Sequence, residues 1–292
     1  MREWQSNAYA CAMTTRETPR RNSSGLTRDI EILELLGSAE AGEAGLGVVR
    51  VAQLTGRDKA VISRSLATLA DAGLLERDER TLTYRLGPRL YALAGRTVEG
   101  RLAREARPAL RRIVQNTRET AHLCVLRGGN VLTVLSELSP HEFRTTGWEG
   151  VTTAAWRTPS GRVLLSDWSR ESLAEWYAEH GRDTAIVGPL PPTVGGFSVL
   201  SAPPAAKAVV TDLSSLHAEI DRIRSLGYAL LDEELELGVV GASAPLVDHT
   251  GRIVGALNIS APRVRVGDRL ESLGRYVAAS ARDLSRALGG EG

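Results

Sequence analysis

The period of the apolar positions changes several times along the chain, and those changes predict its parts. Met1 to Gly25 is polar and aperiodic and reads as a disordered tail. A first helix is predicted from Thr27, as N-cap, to Gly37, with Ile30, Leu33 and Leu36 on one face. A short helix around Val51 to Leu54 follows the loop Ser38 to Gly45. Thr55-Gly56-Arg57 then forms a tight turn, and Asp58 caps a longer helix that runs to Ala72. In that helix Val61, Ile62, Leu66 and Leu69 face inward, which leaves Lys59, Ala60, Ser63, Arg64, Ala67 and Thr68 outside. Leu74 to Arg77 and Leu82 to Leu86 flank the polar Asp78-Glu79-Arg80-Thr81, the pattern of strand, turn and strand. Residues 26–88 are thus predicted to form a winged helix-turn-helix.

After Pro88 the stripe Leu90, Leu93, Ala94, Val98, Leu102 predicts a linker helix over residues 89–107. Pro108 is expected to separate it from a second helix holding Leu110, Ile113 and Val114. Alternation over Ala121 to Arg127 and Val131 to Leu135, around Gly128-Gly129-Asn130, predicts a hairpin. Helices follow near Gly161 to Ser166 and Glu171 to Glu179, and a longer one from Leu213 to Leu226. Tyr228 to Leu231, Val239 to Val247 and Arg252 to Ser260 read as strands, and Asp268 to Leu288 as a closing helix. The fold class expected is α+β, with residues 108–290 an antiparallel sheet covered by helices.

Composition sets limits on this picture. At 292 residues, 42% hydrophobic and 24% charged, the chain is long enough for two cores. No apolar run approaches the roughly 18 residues that would span a bilayer. The N-terminus has no apolar segment followed by a small-residue cleavage site, so a cytoplasmic protein without membrane contact is expected. Cys11 and Cys124, the only cysteines, fit a reducing compartment. Charge is divided: 20 basic against 14 acidic residues up to Arg118, and 16 against 21 beyond it. That asymmetry suits an N-terminal part facing nucleic acid. Because the acids Asp29, Glu31, Glu34, Glu40 and Glu43 cluster around the first helix, any basic face must be local.

The candidate chemistry is recognition. Arg64 can bond a guanine edge bidentately, while Arg57, Lys59, Ala60, Ser63 and Thr68 suit phosphate or shallower groove contacts. A plain solvated arginine is the alternative for Arg64. Arg80 at the wing tip suits a phosphate or the minor groove, with Asp78 and Glu79 weighing against it. Catalysis finds little support: His122, His141, His180, His217 and His249 show no metal spacing, and each reads as a surface or hydrogen-bonded residue. Asp232-Glu233-Glu234 reads as a solvated turn. No phosphate-binding loop is present, and neither a cofactor nor a metal is expected.

The run Asp58 to Leu69, followed by Gly73-Leu74-Leu75-Glu76-Arg77-Asp78 and Tyr84-Arg85-Leu86-Gly87, resembles the DNA-binding domain of IclR-type regulators. Ala60 and Val61 stand where that family usually carries hydroxyls. Glu119 to Leu123, Thr158 to Leu165, Gly227-Tyr228, Asp232 to Glu234 with Gly238, Ala244 to Asp248 and Asn258 to Pro262 resemble the family's GAF-like effector domain. The resemblance implies a transcriptional regulator, more a repressor than an activator, whose partners are double-stranded operator DNA, a small-molecule effector and a second copy of the chain, as a dimer or a dimer of dimers. An enzyme or a protein-interaction module with an accessory winged helix is the alternative. Relatives with a small carboxylate effector hold it at positions matched here by Gly161, Leu231, Gly241, Asn258 and Ser260, where an acid and a thiol are gone. The expected effector is therefore a metabolite larger or more apolar than a keto acid, such as an aromatic or apolar carboxylate. Trp156, Leu231 and Gly241 would shape its cavity, and Thr158, Ser160, Asn258 and Ser260 would supply polar contacts. Trp156 and Leu231 as simple core residues is the alternative. The stretch Gly188 to Lys207, rich in Pro, Gly and Ala, reads as a lid or as a surface insertion.

Overall fold

A computed structural model of the chain describes residues 24–38, 40–142, 144, 148–187 and 205–290. Residues 1–23 of the expected N-terminal tail and most of Gly188 to Lys207 lie outside them, while Ser24 and Gly25, expected in that tail, open the first helix. The chain divides into two compact units, Met1–Arg96 and Thr97–Gly292.

In the first unit α1 (Ser24–Gly37), α2 (Val48–Thr55) and α3 (Lys59–Asp71) surround a core of Ile32, Leu36, Val51, Ile62, Leu66, Leu69, Leu75 and Tyr84. The run Ile30 to Leu33 offers two overlapping faces, and packing selects the one centred on Ile32 and Leu36. Ile30, expected inside, is exposed. Asp58 caps α3 as its side chain predicts, accepting the backbone N–H groups of Ala60 at 2.8 Å and Val61 at 3.2 Å. The strands β1 (Leu46–Gly47), β2 (Leu75–Arg77) and β3 (Thr83–Leu86) form an antiparallel sheet in the order β1-β3-β2, the wing. Helix α4 (Pro88–Ala94) follows.

The expected linker helix is not continuous, and Pro108 does not break its successor. Gly95 ends α4, and Thr97 starts α5 (Val98–Thr117) by accepting the N–H of Gly100 at 3.0 Å. Pro108 sits inside α5. An interior proline costs a helix about 3 kcal/mol. Here Leu102, Ala106, Ala109, Leu110 and Ile113 are all buried in one core on both sides of it, so tertiary packing outweighs the local defect.

The second unit is built on a six-stranded antiparallel sheet of order β6-β5-β4-β9-β8-β7. Its strands are β4 (Thr120–Arg127), β5 (Asn130–Glu137), β6 (Thr152–Thr153), β7 (Ala229–Asp232), β8 (Val239–Val247) and β9 (Ile253–Pro262). Helices α6 (Pro159–Leu164), α7 (Arg170–His180) and α8 (Leu213–Leu226) supply one core. After the short α9 (Arg263–Val266), α10 (Leu270–Ala287) joins α5 in the other. Side chains alternate along each strand, so Leu123, Val125, Leu257 and Ile259 pack with α5 and α10. Their neighbours Cys124 and Ala256 pack instead with α6, α7 and α8.

Candidate nucleic-acid interface and ligand cavity

On α3 the residues expected outside, Lys59, Ala60, Ser63, Arg64, Ala67 and Thr68, are all exposed. Ser65, not assigned from the sequence, is buried with Ile62, Leu66 and Leu69. The Arg64 Nε–H reaches back to the Ala60 carbonyl at 3.4 Å, and the Thr68 hydroxyl donates to the Arg64 carbonyl at 2.9 Å. Arg57 differs from the rest of the set, because its guanidinium is engaged by Glu31 of α1. Glu40 and Glu76 are likewise paired, with Arg50 and Arg85. Residues 26–88 hold ten acidic against eight basic residues, and these pairs engage three of the acids away from the exposed face of α3.

Arg80 is exposed at the wing tip. The flanking acids are turned to other tasks. Asp78 accepts the backbone N–H groups of Thr81 at 3.0 Å and Arg80 at 2.8 Å, and these bonds hold its carboxyl below the usual carboxylate range. Glu79 lies 4.0 Å from Arg77.

In the second unit a cavity of about 80 Å³ opens on the sheet beneath the start of α6. Thr158, Ser160, Leu231, Gly241, Asn258 and Ser260 line it, six of the eight residues expected there. Trp156 and Gly161 are placed elsewhere. Trp156 packs on the core of α6, α7 and α8 and carries the Arg157 guanidinium 4.7 Å above its ring. Gly161 allows α6 to meet the turn Ala155–Arg157, since a Cβ there would sit 2.2 Å from the Ala155 carbonyl oxygen. At Gly241 a Cβ would lie 3.1 Å from the Ile259 carbonyl and 3.8 Å from Asn258 Oδ1, so its absence keeps the floor open.

The lining also includes residues that sequence reasoning missed, among them His122, Cys124, Thr133, Trp148, Thr153 and Glu236. His122 pairs directly with Asn258 across β4 and β9. Its Nδ1 lies 2.9 Å from the Ser136 hydroxyl, and burial pushes its pKa down to about 4, so the ring is neutral. Burial pushes the Cys124 thiol up to about 11, against hydrogen bonds from Ser160 and Thr133, and it stays protonated. Asn258 Oδ1 is buried with no hydrogen-bond partner.

Asp232-Glu233-Glu234 is not a solvated turn. Glu234 is buried and receives both terminal nitrogens of Arg162, at 2.6 and 3.3 Å, while Asp232 pairs with Lys207 and Arg263. Three acids in a row carry no mark of this, because their partners come from three distant segments. The result fixes the loop that brings Leu235 and Glu236 to the cavity wall. Among the described residues no group of three or more His, Cys, Asp or Glu is placed to hold a metal ion, and no helix is long and apolar enough to cross a membrane.

A winged helix-turn-helix joined to a sheet domain enclosing a polar-floored cavity defines a class, the DNA-binding regulators that carry their own sensor. Residues 25–79 match the IclR helix-turn-helix domain, and residues 96–186 and 200–286 match the bacterial transcriptional regulator IclR C-terminal domain. The chain therefore belongs to the IclR family of bacterial transcriptional regulators, with an effector-binding C-terminal domain. It is 29% identical over 267 residues to the HTH-type transcriptional regulator BhcR of Paracoccus denitrificans, covering 89% of this chain and 85% of that protein. The Thermotoga maritima IclR structure shares its fold with a TM-score of 0.66 at 21% identity, over 90% of this chain and 98% of the other. An IclR homologue from Microbacterium hydrocarbonoxydans, solved in complex with 4-hydroxybenzoate, matches with a TM-score of 0.64 at 22% identity, over 90% of this chain and all of the other.

Proposed function

We propose that the protein binds operator DNA sequence-specifically as a homodimer in the cytoplasm, with α3 in the major groove, and that a small organic molecule in the sheet cavity modulates this binding. The observation that carries the proposal is the division of α3. One face is spent on the core, while Lys59, Ser63, Arg64 and Thr68 share an exposed face behind a capped N-terminus. Arg64 reads a base edge, Lys59 and Ser63 meet phosphate, and Arg80 follows the backbone from the wing. Arg57, tied to Glu31, contributes mainly by holding the turn before α3. Tyr91 and Leu93 on α4 are exposed apolar residues suited to a second copy of the chain. Repression is the simpler output, because occupying an operator requires no contact with polymerase.

A small molecule shifts operator binding only through different affinities for two states of the protein. Thr158, Ser160, Leu231, Gly241, Asn258 and Ser260 form its site, with His122 and Thr133 beside them. The first test is sequencing of DNA bound in cells, followed by fluorescence anisotropy on the enriched site. Arg64→Ala should weaken that site by about 1–3 kcal/mol per half-site while binding to unrelated duplex changes little. Unchanged affinity for the enriched site would remove α3 from the groove.

A further inference from the structure

Resting on the regulator reading, we propose that the outward face of α5 binds the phosphate backbone of duplex DNA and supplies a sequence-independent attraction that the α3 unit lacks. Such attraction comes from cationic side chains that displace the counterions condensed on phosphates. Residues 26–88 carry eight basic against ten acidic residues, so the unit that holds α3 has no cationic excess for this. Residues 89–118 carry eight basic against two acidic. Six of those eight arginines fall between Arg101 and Arg118, and all six are exposed.

Helical spacing gathers them. Leu102, Ala106, Ala109, Leu110 and Ile113 take the inner face of α5. Arg104, Arg107 and Arg111 are left in one outward stripe at i, i+3 and i+7, with Arg101 and Arg112 beside it. From Arg101 to Arg112 the helix rises roughly 16 Å, a length over which a duplex presents about ten phosphate charges. Elsewhere the protein pairs its guanidinium groups closely: Arg85, Arg162, Arg222 and Arg265 each lie 2.6–2.9 Å from a carboxylate oxygen. The stripe on α5 is treated differently. Glu105 and Glu137 stay 3.7 Å from Arg104 and Arg111, and Glu99 is engaged by Arg127 of β4. Among the described residues Arg101, Arg107 and Arg112 have no carboxylate partner. Like charges three and four positions apart on a helix repel, and a polyanion lying along the stripe relieves that repulsion.

Fluorescence anisotropy of the full-length protein on an unrelated duplex, from about 50 to about 300 mM KCl, tests the proposal. In the triple variant Arg104→Gln, Arg107→Gln, Arg111→Gln the slope of log affinity against log salt should become shallower by about 2–3, and affinity at low salt should fall by about tenfold or more. Lysine at the same three positions should keep both close to the parent. Arg170→Gln with Arg182→Gln, on the other side of the sheet, should leave both unchanged. The preference for the enriched site over unrelated duplex should persist in every variant, because α3 is untouched. Circular dichroism confirms that each variant folds. An unchanged slope in the glutamine triple variant, or an equal change in the Arg170→Gln, Arg182→Gln control, overturns the proposal. So does light scattering that finds the triple variant at a lower mass than the parent, which assigns the stripe to the exposed Glu171, Glu175 and Glu179 of a second copy. A parent protein that binds no duplex, or an enriched site indifferent to Arg64→Ala, instead overturns the regulator reading, so the two failures are distinct.

Discussion

The two faces of the six-stranded sheet carry residues only one position apart, yet they behave differently. Leu123, Leu257 and Ile259 face α5 and α10 and pack in an apolar core with Leu110, Ile113, Val277 and Ala281. His122, Asn258 and Ser260, interleaved with them, line the cavity on the other face. Strand periodicity makes this possible, because adjacent positions never share a side. One face contributes stability through close packing, and the other places polar side chains around a cavity.

The largest expected effect comes from the cavity wall. Glu234→Ala strips Arg162, with a side chain 2% exposed, of its bidentate partner and leaves Glu219 at 4.0 Å as the remaining carboxylate beside it. Unfolding in urea should show a loss of about 3–5 kcal/mol, and Arg162→Met combined with Glu234→Leu should restore most of it. On the apolar face, Leu257→Ala should cost about 2–5 kcal/mol by opening a cavity between the sheet and its helices.

The pH dependence of stability separates the faces more finely. With a folded pKa of about 4 against an ordinary 6.5, His122 refuses in the folded state a proton that the unfolded chain accepts. Its contribution is therefore complete above pH 6.5 and falls away as pH drops toward 4. Between pH 7 and pH 5 urea unfolding should register a loss of about 2 kcal/mol from this group, absent in His122→Gln. The smallest change in stability belongs to Asn258→Leu, one residue from Leu257. Because Asn258 Oδ1 has no partner to lose, the variant should stay within about 1 kcal/mol of the parent while its ligand response disappears.

The two units differed in how far the sequence disclosed them. In the first, the signals are local: Asp58 caps α3, Gly56 turns the chain before it, and the alternation around Asp78 marks the wing. Proximity in sequence makes such features readable. The cavity is assembled from positions between His122 and Ser260, and only the part resting on family resemblance was anticipated. His122 and Cys124 did leave a trace, as polar residues at alternate places in an otherwise apolar strand, in phase with Asn258 and Ser260 across β9. The Arg162 and Glu234 pair left none, since 72 residues separate the partners. Pro108 misled for the opposite reason: a strong local signal was overruled by burial of the stripe on either side of it.

The proposed function requires that α3 read DNA and that filling the cavity alter that reading. Footprinting on the enriched operator, while a calorimetrically identified ligand is titrated, tests it most directly. Protection by the parent protein should change over the concentrations that fill the cavity, and protection by Asn258→Leu should not. A footprint indifferent to the ligand in both proteins, or one that shifts equally in both, would contradict it.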